Sequence, residues 1–412
     1  MKVMLSHPQG SEFVRAAISA FDKAGMLVEF NTTLSFNKNS GWIGALPGSL
    51  RKELLRRSFP LKSDKIIAHP LREMVRMIAP HLGLAGLTRH ETGWASVDRI
   101  YHQLDRVVAK RLPRLVEERG LDAVYCYEDG ALETFTRARK LGLKCVYDLP
   151  IAYWETGRRL MQEEAERMPA WAATLGGGVA DSAAKLERKR RELELADMVV
   201  VPGDFVKDSL PDWAKNKRIV VAPFGSPASR NVPLNKVQIR NQGPLRVLFA
   251  GSLGQRKGLG DLFAAMKMLD PTKVKLIMMG GLLAPFEFYR NEFSDFIFES
   301  GRPHDQVLEL MRSCDVLCLP SIVEGRALVM QEAMSQGLPL LITPNTGGAD
   351  LIIEGETGFM VPLRSPDKIA ETLNWFAENR EHLTEMSLKA RKHAAGYTWE
   401  GYGEIIINEL TR

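Results

Sequence analysis

Short apolar runs alternate with helical stretches along this chain, and they do so in two separate series. The first series is KVMLS, LVEFNTT, AVYCY, KCVYDL and MVVVP; the second is RVLFAG, KLIMMGG, DFIFES, DVLCLPS, LPLLIT and GFMVPL. Strands separated by helices rather than tight turns pair in parallel, because a parallel neighbour is reached only through a crossover. The fold class is therefore α/β, with two doubly wound, Rossmann-like sheets. Phe13, Ala16, Ala17, Ala20 and Phe21 fall at helical spacing, and Gly25 closes that helix. In the second series helices are expected near 259–269, 303–312, 326–336 and 348–353. Between the series, SPASRNVPLNKVQIRNQGP is polar, rich in Pro and Asn, and without periodicity, which reads as a hinge. The expected division is a first domain over 1–224, a linker over 225–244, a second domain over 245–395 and a terminal helix within 396–412.

A chain of 412 residues with 45% hydrophobic and 25% charged content has enough apolar material for two such cores. MKVMLSHPQG turns polar too early for a signal-peptide core, and no apolar run approaches bilayer length, so a cytoplasmic protein is expected. Cys126, Cys145, Cys314 and Cys318 lie in or beside apolar runs and read as small hydrophobes. No second Cys or His pair matches Cys314 and Cys318, so no metal site is expected. The net charge of +5 is mild, yet Arg51, Lys52, Arg56, Arg57, Lys62, Lys65, Arg72 and Arg76 crowd one segment beside Leu54, Leu55, Phe59, Ile66 and Ile67. That segment is either a solvated helical face or a surface for an anionic membrane or acidic acceptor. It lacks the interleaved aromatics of a single-strand nucleic-acid groove, so no nucleic-acid partner is expected.

In open parallel sheets ligands sit beyond the carboxyl ends of the strands, so the informative residues are those that follow strands. RVLFAG leads into SLGQRKGLGDLF, which places Gly251, Gly254, Gly258, Arg256 and Lys257 at a helix entrance. Glycines admit a phosphate close to the backbone, and two cations neutralise a diphosphate. Neither the dinucleotide fingerprint nor the P-loop ending is present. In DVLCLPSIVEGRALVMQEAMSQGLPLLIT a strand ends at Pro320 and Ser321, Glu324 lies in the loop, a helix begins near Arg326 and carries Glu332, and Gly337 with Pro339 stops it. The two carboxylates can accept bonds from sugar hydroxyls, while N–H groups of Gly325, Arg326, Ala327 and Leu328 can donate.

This pattern, continued through NTGGADLIIEGETGFMVP, resembles the family 4 retaining glycosyltransferases (glycosyl transferases group 1), most closely over roughly 245–365. The resemblance implies the GT-B fold, two Rossmann-like domains facing across a cleft, with the last helix crossing back to the first domain. It assigns Glu324 to the donor sugar, Glu332 to the ribose and Lys257 to the diphosphate. The family usually has Arg where this chain has Ser252, and Arg256 is the expected substitute. GRPHD over 301–305 falls near the nucleotide base, which makes His304 a candidate. HPQG resembles the loop that faces the donor phosphates, so His7 and Gly10 are candidates. Pro150 stands where many members carry a histidine close to the reacting sugar, leaving Asp148, Tyr153 and Glu155 to take over its hydrogen bonds. Glu128 and Asp129, in CYEDGA, are expected to hold acceptor hydroxyls.

The expected activity is transfer of a sugar from a UDP- or GDP-linked donor to a hydroxyl acceptor, a glycan or lipid-linked saccharide of polysaccharide biosynthesis. The family retains anomeric configuration by front-face displacement, which needs no protein nucleophile and no cofactor. The chain has no D-x-D sequence, so no metal is expected. The place of action is the cytoplasm, at the inner membrane face if the basic segment rests there. Two alternatives stay open: a nucleotide-sugar epimerase of the same architecture, and a non-catalytic binding protein, suggested by Pro150 and Ser252.

Overall fold

Both series of apolar runs become all-parallel sheets in the computed structural model, which describes residues 1–36, 54, 57–176, 180–227 and 243–412. The first sheet contains β1 (Val3–Ser6), β2 (Leu27–Thr32), β3 (Ile66–Ala68), β4 (Ala123–Tyr127), β5 (Lys144–Asp148), β6 (Met198–Val201) and β7 (Arg218–Val221), in the order β3-β2-β1-β4-β5-β6-β7. The second contains β8 (Leu245–Ala250), β9 (Val274–Met279), β10 (Phe296–Glu299), β11 (Val316–Leu319), β12 (Leu340–Ile342) and β13 (Gly358–Met360), in the order β10-β9-β8-β11-β12-β13. Every residue of β1, β4, β6 and β11 is buried, as parallel strands covered by helices on both faces must be. Strand order reverses between β1 and β4, paired through Val3 and Ala123, and again between β8 and β11, paired through Val247 and Val316. Crevices open at those reversals, beyond the strand carboxyl ends.

Of the expected second-domain helices, three form over Leu259–Met266, His304–Arg312 and Leu328–Ser335, while 348–353 yields only a 3-10 turn, Ala349–Leu351. The terminal helix, Trp399–Thr411, lies on the Glu12–Lys23 helix of the first domain; a Cβ at Gly403 would meet Ala20 Cβ at 2.4 Å. Its Tyr402 and Ile406 join the first domain's core.

One segment of the first half crosses the other way. Trp171, 1% exposed, packs in the core of the second sheet, its ring 4.8 Å from Phe288 and 5.6 Å from Phe263. Thr174 Oγ1 accepts from Gln255 N–H at 2.9 Å. The helix leading to this segment, Trp154–Arg167, carries the wholly buried Glu164, whose oxygens accept from Gln255 Nε2 (2.7 Å) and Arg364 Nε (2.8 Å) of the second domain. Arg167 in turn pairs with Asp261 at 2.7 Å.

Linker residues 228–242 lie outside the described residues, as do Arg51, Lys52, Leu55 and Arg56 of the basic segment. The rest of that segment is not one solvated cationic face. Arg57 and Arg76 both pair with buried Glu73, at 2.7 and 2.6 Å, and Lys65 pairs with Asp22 at 2.6 Å. No described helix is long and apolar enough to cross a membrane.

Candidate active site

After β8 the chain turns through Gly251, whose φ of +138° is one that side-chain-bearing residues rarely adopt. A Cβ there would stand 2.8 Å from Lys257 Cε, so the missing side chain makes room for the lysine. The following turn, Gln255–Lys257, is fixed to the loop after β11: Ile322 N–H donates to the Arg256 carbonyl at 2.9 Å. These two loops flank the β8/β11 reversal.

Lys257 Nζ donates to Glu324 Oε1 at 2.5 Å, and Arg256 Nη1 lies 3.1 Å from the same oxygen. Arg256 also donates to the Val323 carbonyl at 3.0 Å. Two cations facing one carboxylate leave a net positive charge in a place where solvent screens weakly, which suits a diphosphate.

The helix carrying Glu332 starts at Leu328, two positions later than Arg326, because Ala327 is extended and its N–H donates to the Thr346 carbonyl at 3.3 Å. The Ala327 N–H is therefore not open to a ligand. Leu328 and Val329 occupy the first turn, where N–H groups lack intrahelical partners, and both line the cavity described next. The Arg326 side chain is engaged within the protein. Its fully buried guanidinium forks onto Asp350 at 2.6 and 3.0 Å, donates to the Gly347 carbonyl at 3.1 Å and lies 5.0 Å from the Tyr397 ring centre. That side chain holds the loop together, and the residue itself lines the cavity described next.

A cavity of about 420 Å³ lies between the domains. Phe13, Pro150, Ile151 and Phe224 line one side; Gly251, Lys257, Glu324, Gly325, Leu328 and Glu332 line the other. Met279 and Val307 add apolar wall. Sequence alone assigns no site role to Ile151, Phe224, Met279 or Val307, and marks Phe13 only as part of a helix face. Met279 was within reach of the strand-end rule, since it closes β9. Gly325 is where the two sides touch: a Cβ on it would lie 1.7 Å from the Pro150 carbonyl, and Ala152 N–H donates to the Glu324 carbonyl at 3.4 Å. The proline standing in the histidine's place thus packs directly on the loop of Glu324.

Glu332 lies 3.8 Å from His304 Nδ1, so these two candidates are brought together at one edge of the cavity. Burial raises the Glu332 pKa; His304 opposes that shift and Glu12, on the first-domain helix, adds to it. Ser252 does not line the cavity, and its carbonyl accepts from Gly254 N–H at 3.0 Å.

The first-domain candidates are not brought into this cavity. His7 is buried edge-on against Tyr127, with Gln9 N–H donating to Nδ1 at 3.0 Å, and burial lowers its pKa to about 4. A neutral imidazole offers no charge to phosphate. Gly10 is seated against the Phe59 ring. Asp148 is 1% exposed and accepts from Tyr125 (2.6 Å) and Tyr402 (3.1 Å), so it joins the terminal helix to the first sheet and is closed to an acceptor. Tyr153 is fully buried in the first core, again closed to substrate, while Glu155 is exposed. Glu128 and Asp129 sit beyond β4, 3.3 and 3.7 Å from Lys189 Nζ, and burial raises the pKa of each. Glu128 Oε1 and Asp129 Oδ1 are buried without a hydrogen-bond partner.

Among the described residues, His90, Glu91 and Asp181 bring potential metal-ligand atoms within 4.8 Å of one another. Lys185 and Lys189 stand 3.0 and 3.5 Å from Asp181, so cations of the chain itself already balance that charge.

Residues 233–393 match the model of the family described as glycosyl transferases group 1. A glycosyltransferase of Methanocaldococcus jannaschii is 26% identical over 208 residues, 50% of this chain and 56% of that protein. A D-inositol 3-phosphate glycosyltransferase of Corynebacterium glutamicum is 29% identical over 185 residues, 40% of this chain and 44% of that protein. The chain thus spans about half the length of these curated relatives. HepE of Anabaena, solved in complex with UDP, superposes over 100% of both chains with a TM-score of 0.62 at 14% identity. Sucrose-phosphate synthase of Thermosynechococcus elongatus gives 0.61 at 16% identity, over 100% of this chain and 98% of that one. These likenesses, with the two parallel sheets, make the fold GT-B.

Proposed function

Because the second domain belongs to the group 1 glycosyltransferases, we propose that this protein transfers a sugar from a nucleoside-diphosphate sugar to a hydroxyl acceptor with retention of anomeric configuration. The observation that carries the reading is the convergence of Lys257, Arg256 and Glu324 on one oxygen at the edge of the interdomain cavity. As the bond from the anomeric carbon to the phosphate oxygen breaks, negative charge grows on the diphosphate and positive charge on the sugar. Lys257 and Arg256 meet the first, and groups already in place do so without reorganising. Glu324 accepts from sugar hydroxyls and offsets the second.

In front-face displacement the acceptor oxygen forms the new bond on the side the diphosphate leaves, and the departing phosphate oxygen takes the acceptor's proton. The protein's part is to orient both substrates and exclude water. Glu332, beside His304, is placed for the ribose, and Met279 with Val307 for the base. HepE is solved with UDP and with UDP-glucose, which favours a uridine donor over a guanosine one. The acceptor is a glycan or lipid-linked saccharide of polysaccharide biosynthesis, reached in the cytoplasm.

The test is a panel of UDP- and GDP-sugars, each first screened for raising the melting temperature and then incubated with and without hydroxyl acceptors. Release of nucleoside diphosphate that depends on the acceptor, with an α-linked product from an α-linked donor, is expected. Interconversion of the sugar nucleotide alone marks an epimerase, and stabilisation without turnover of any donor marks a binding protein.

A further inference from the structure

The helix Leu71–Ile78 is packed with its polar side inward. Its buried residue is Glu73, 1% exposed and paired with Arg57 and Arg76. Leu71, Met74 and Ile78, which share one stripe at helical spacing, are exposed to 62%, 48% and 50%. The exposure continues along the chain through Leu82, Leu84 and Trp94. Water-facing apolar stripes of this extent on a soluble fold mark a surface made for a partner.

Charge around the stripe selects the partner. Arg72 stacks over the Trp94 ring at 4.6 Å. Burial, then the charges of Arg106 and Arg99, lower its pKa, so three guanidiniums share one field. Arg99 and Arg106 have no ion pair among the described residues, and the nearby carboxylates are committed: Glu73 to Arg57 and Arg76, Asp98 to Lys185 at 2.8 Å. A second copy docking stripe to stripe would set these arginine rims against each other.

We propose that this face docks on an anionic lipid bilayer, Leu71, Met74, Ile78, Leu82 and Leu84 entering the acyl boundary while Arg72, Arg99 and Arg106 meet lipid phosphates. Aromatic and basic side chains beside an apolar stripe are the usual equipment of a helix lying in the interface. The surface shares Arg72 with the basic stretch read from the sequence, whose Arg57, Lys65 and Arg76 are instead paired with carboxylates. Docking does not depend on the transferase reading.

Flotation of the full chain with phosphatidylcholine vesicles, with and without phosphatidylglycerol, tests this without any sugar donor. The wild type is expected to float with the anionic vesicles at low salt and to detach as salt rises. Leu82→Ser with Leu84→Ser, both at exposed positions, lowers the bound fraction about fivefold or more at an unchanged melting temperature. Arg99→Gln with Arg106→Gln removes the preference for anionic lipid. Absence of wild-type flotation overturns the proposal, as does undiminished binding by the serine pair. A wild-type dimer in sedimentation equilibrium that the serine pair dissolves, without vesicle binding, assigns the face to a second copy instead.

Discussion

Arg364 of the second domain donates from Nε to Glu164 of the first at 2.8 Å, and the carboxylate that receives it is wholly buried. Arg167 and Gln255 address the same carboxylate, and Gln255 adjoins Arg256 and Lys257 in sequence. The tie between domains is thus one side chain away from the loop proposed to hold the diphosphate. Glu164→Ala removes the carboxylate on which three donors converge, leaving them Asp261 and Glu163, and is expected to lower stability by about 3 kcal/mol. Urea denaturation measures this, and a loss under about 0.5 kcal/mol would show that the network is not structural.

Lys257→Ala and Glu324→Gln separate the two halves of the proposed chemistry. The lysine variant is expected to bind nucleoside diphosphate about tenfold or more weakly, in proportion to a lost charge-assisted contact. The glutamine variant keeps nucleotide affinity and loses about 100-fold in kcat. Calorimetry with the nucleotide and a turnover assay with the best donor read the two effects; near-normal turnover in either variant removes that residue from the mechanism.

Gly325→Ala puts a methyl group where the Pro150 carbonyl stands, 1.7 Å from the ideal Cβ position. Neither backbone can yield locally, so the domains must move apart at this point. Transfer is expected to fall at least tenfold while the nucleotide still binds, and small-angle scattering should report a larger radius of gyration.

Asp148 provides a pH dependence with a definite sign. Burial raises its pKa to about 7 against the ordinary 3.8, with the tyrosine hydroxyls opposing the shift. The folded protein therefore holds this proton more tightly than the unfolded chain does. The stabilisation is complete below the unfolded pKa and is lost as pH rises through the folded one. Asp148→Asn cannot ionise, so its stability relative to wild type should rise between pH ~4 and ~8. Parallel melting-temperature profiles of the two proteins over that range would exclude the assignment.

The strand-end rule explains why one side of the cavity could be read from sequence. Gly251, Lys257 and Glu324 lie in loops that follow strands and Glu332 lies on the next helix, so local pattern and sheet topology place them together. Residues whose roles depend on distant partners were not readable in that way. The Arg326 side chain shows its partner only when Asp350 is seen under it, and Asp148 looks like a cleft residue until Tyr402 arrives from the terminal helix. β3 and β7 escaped for a related reason: Ile66–Ala68 is a three-residue edge strand inside a basic stretch, and Arg218–Val221 runs straight into the hinge. Nothing local about Trp171 announces that its pocket is built from Phe263, Phe288 and Tyr289.

The exchange of Trp171 and Tyr402 between the halves dictates the order in which the protein can be completed. During synthesis the first sheet leaves the ribosome without the helix that covers it and without the second hydroxyl that Asp148 needs, and Trp171 emerges before any of the rings around it exist. Neither half reaches its final form until the helix Trp399–Thr411 is made. A fragment cut at the hinge would not be a smaller version of this protein, and a nascent chain must wait, partly open, for that helix.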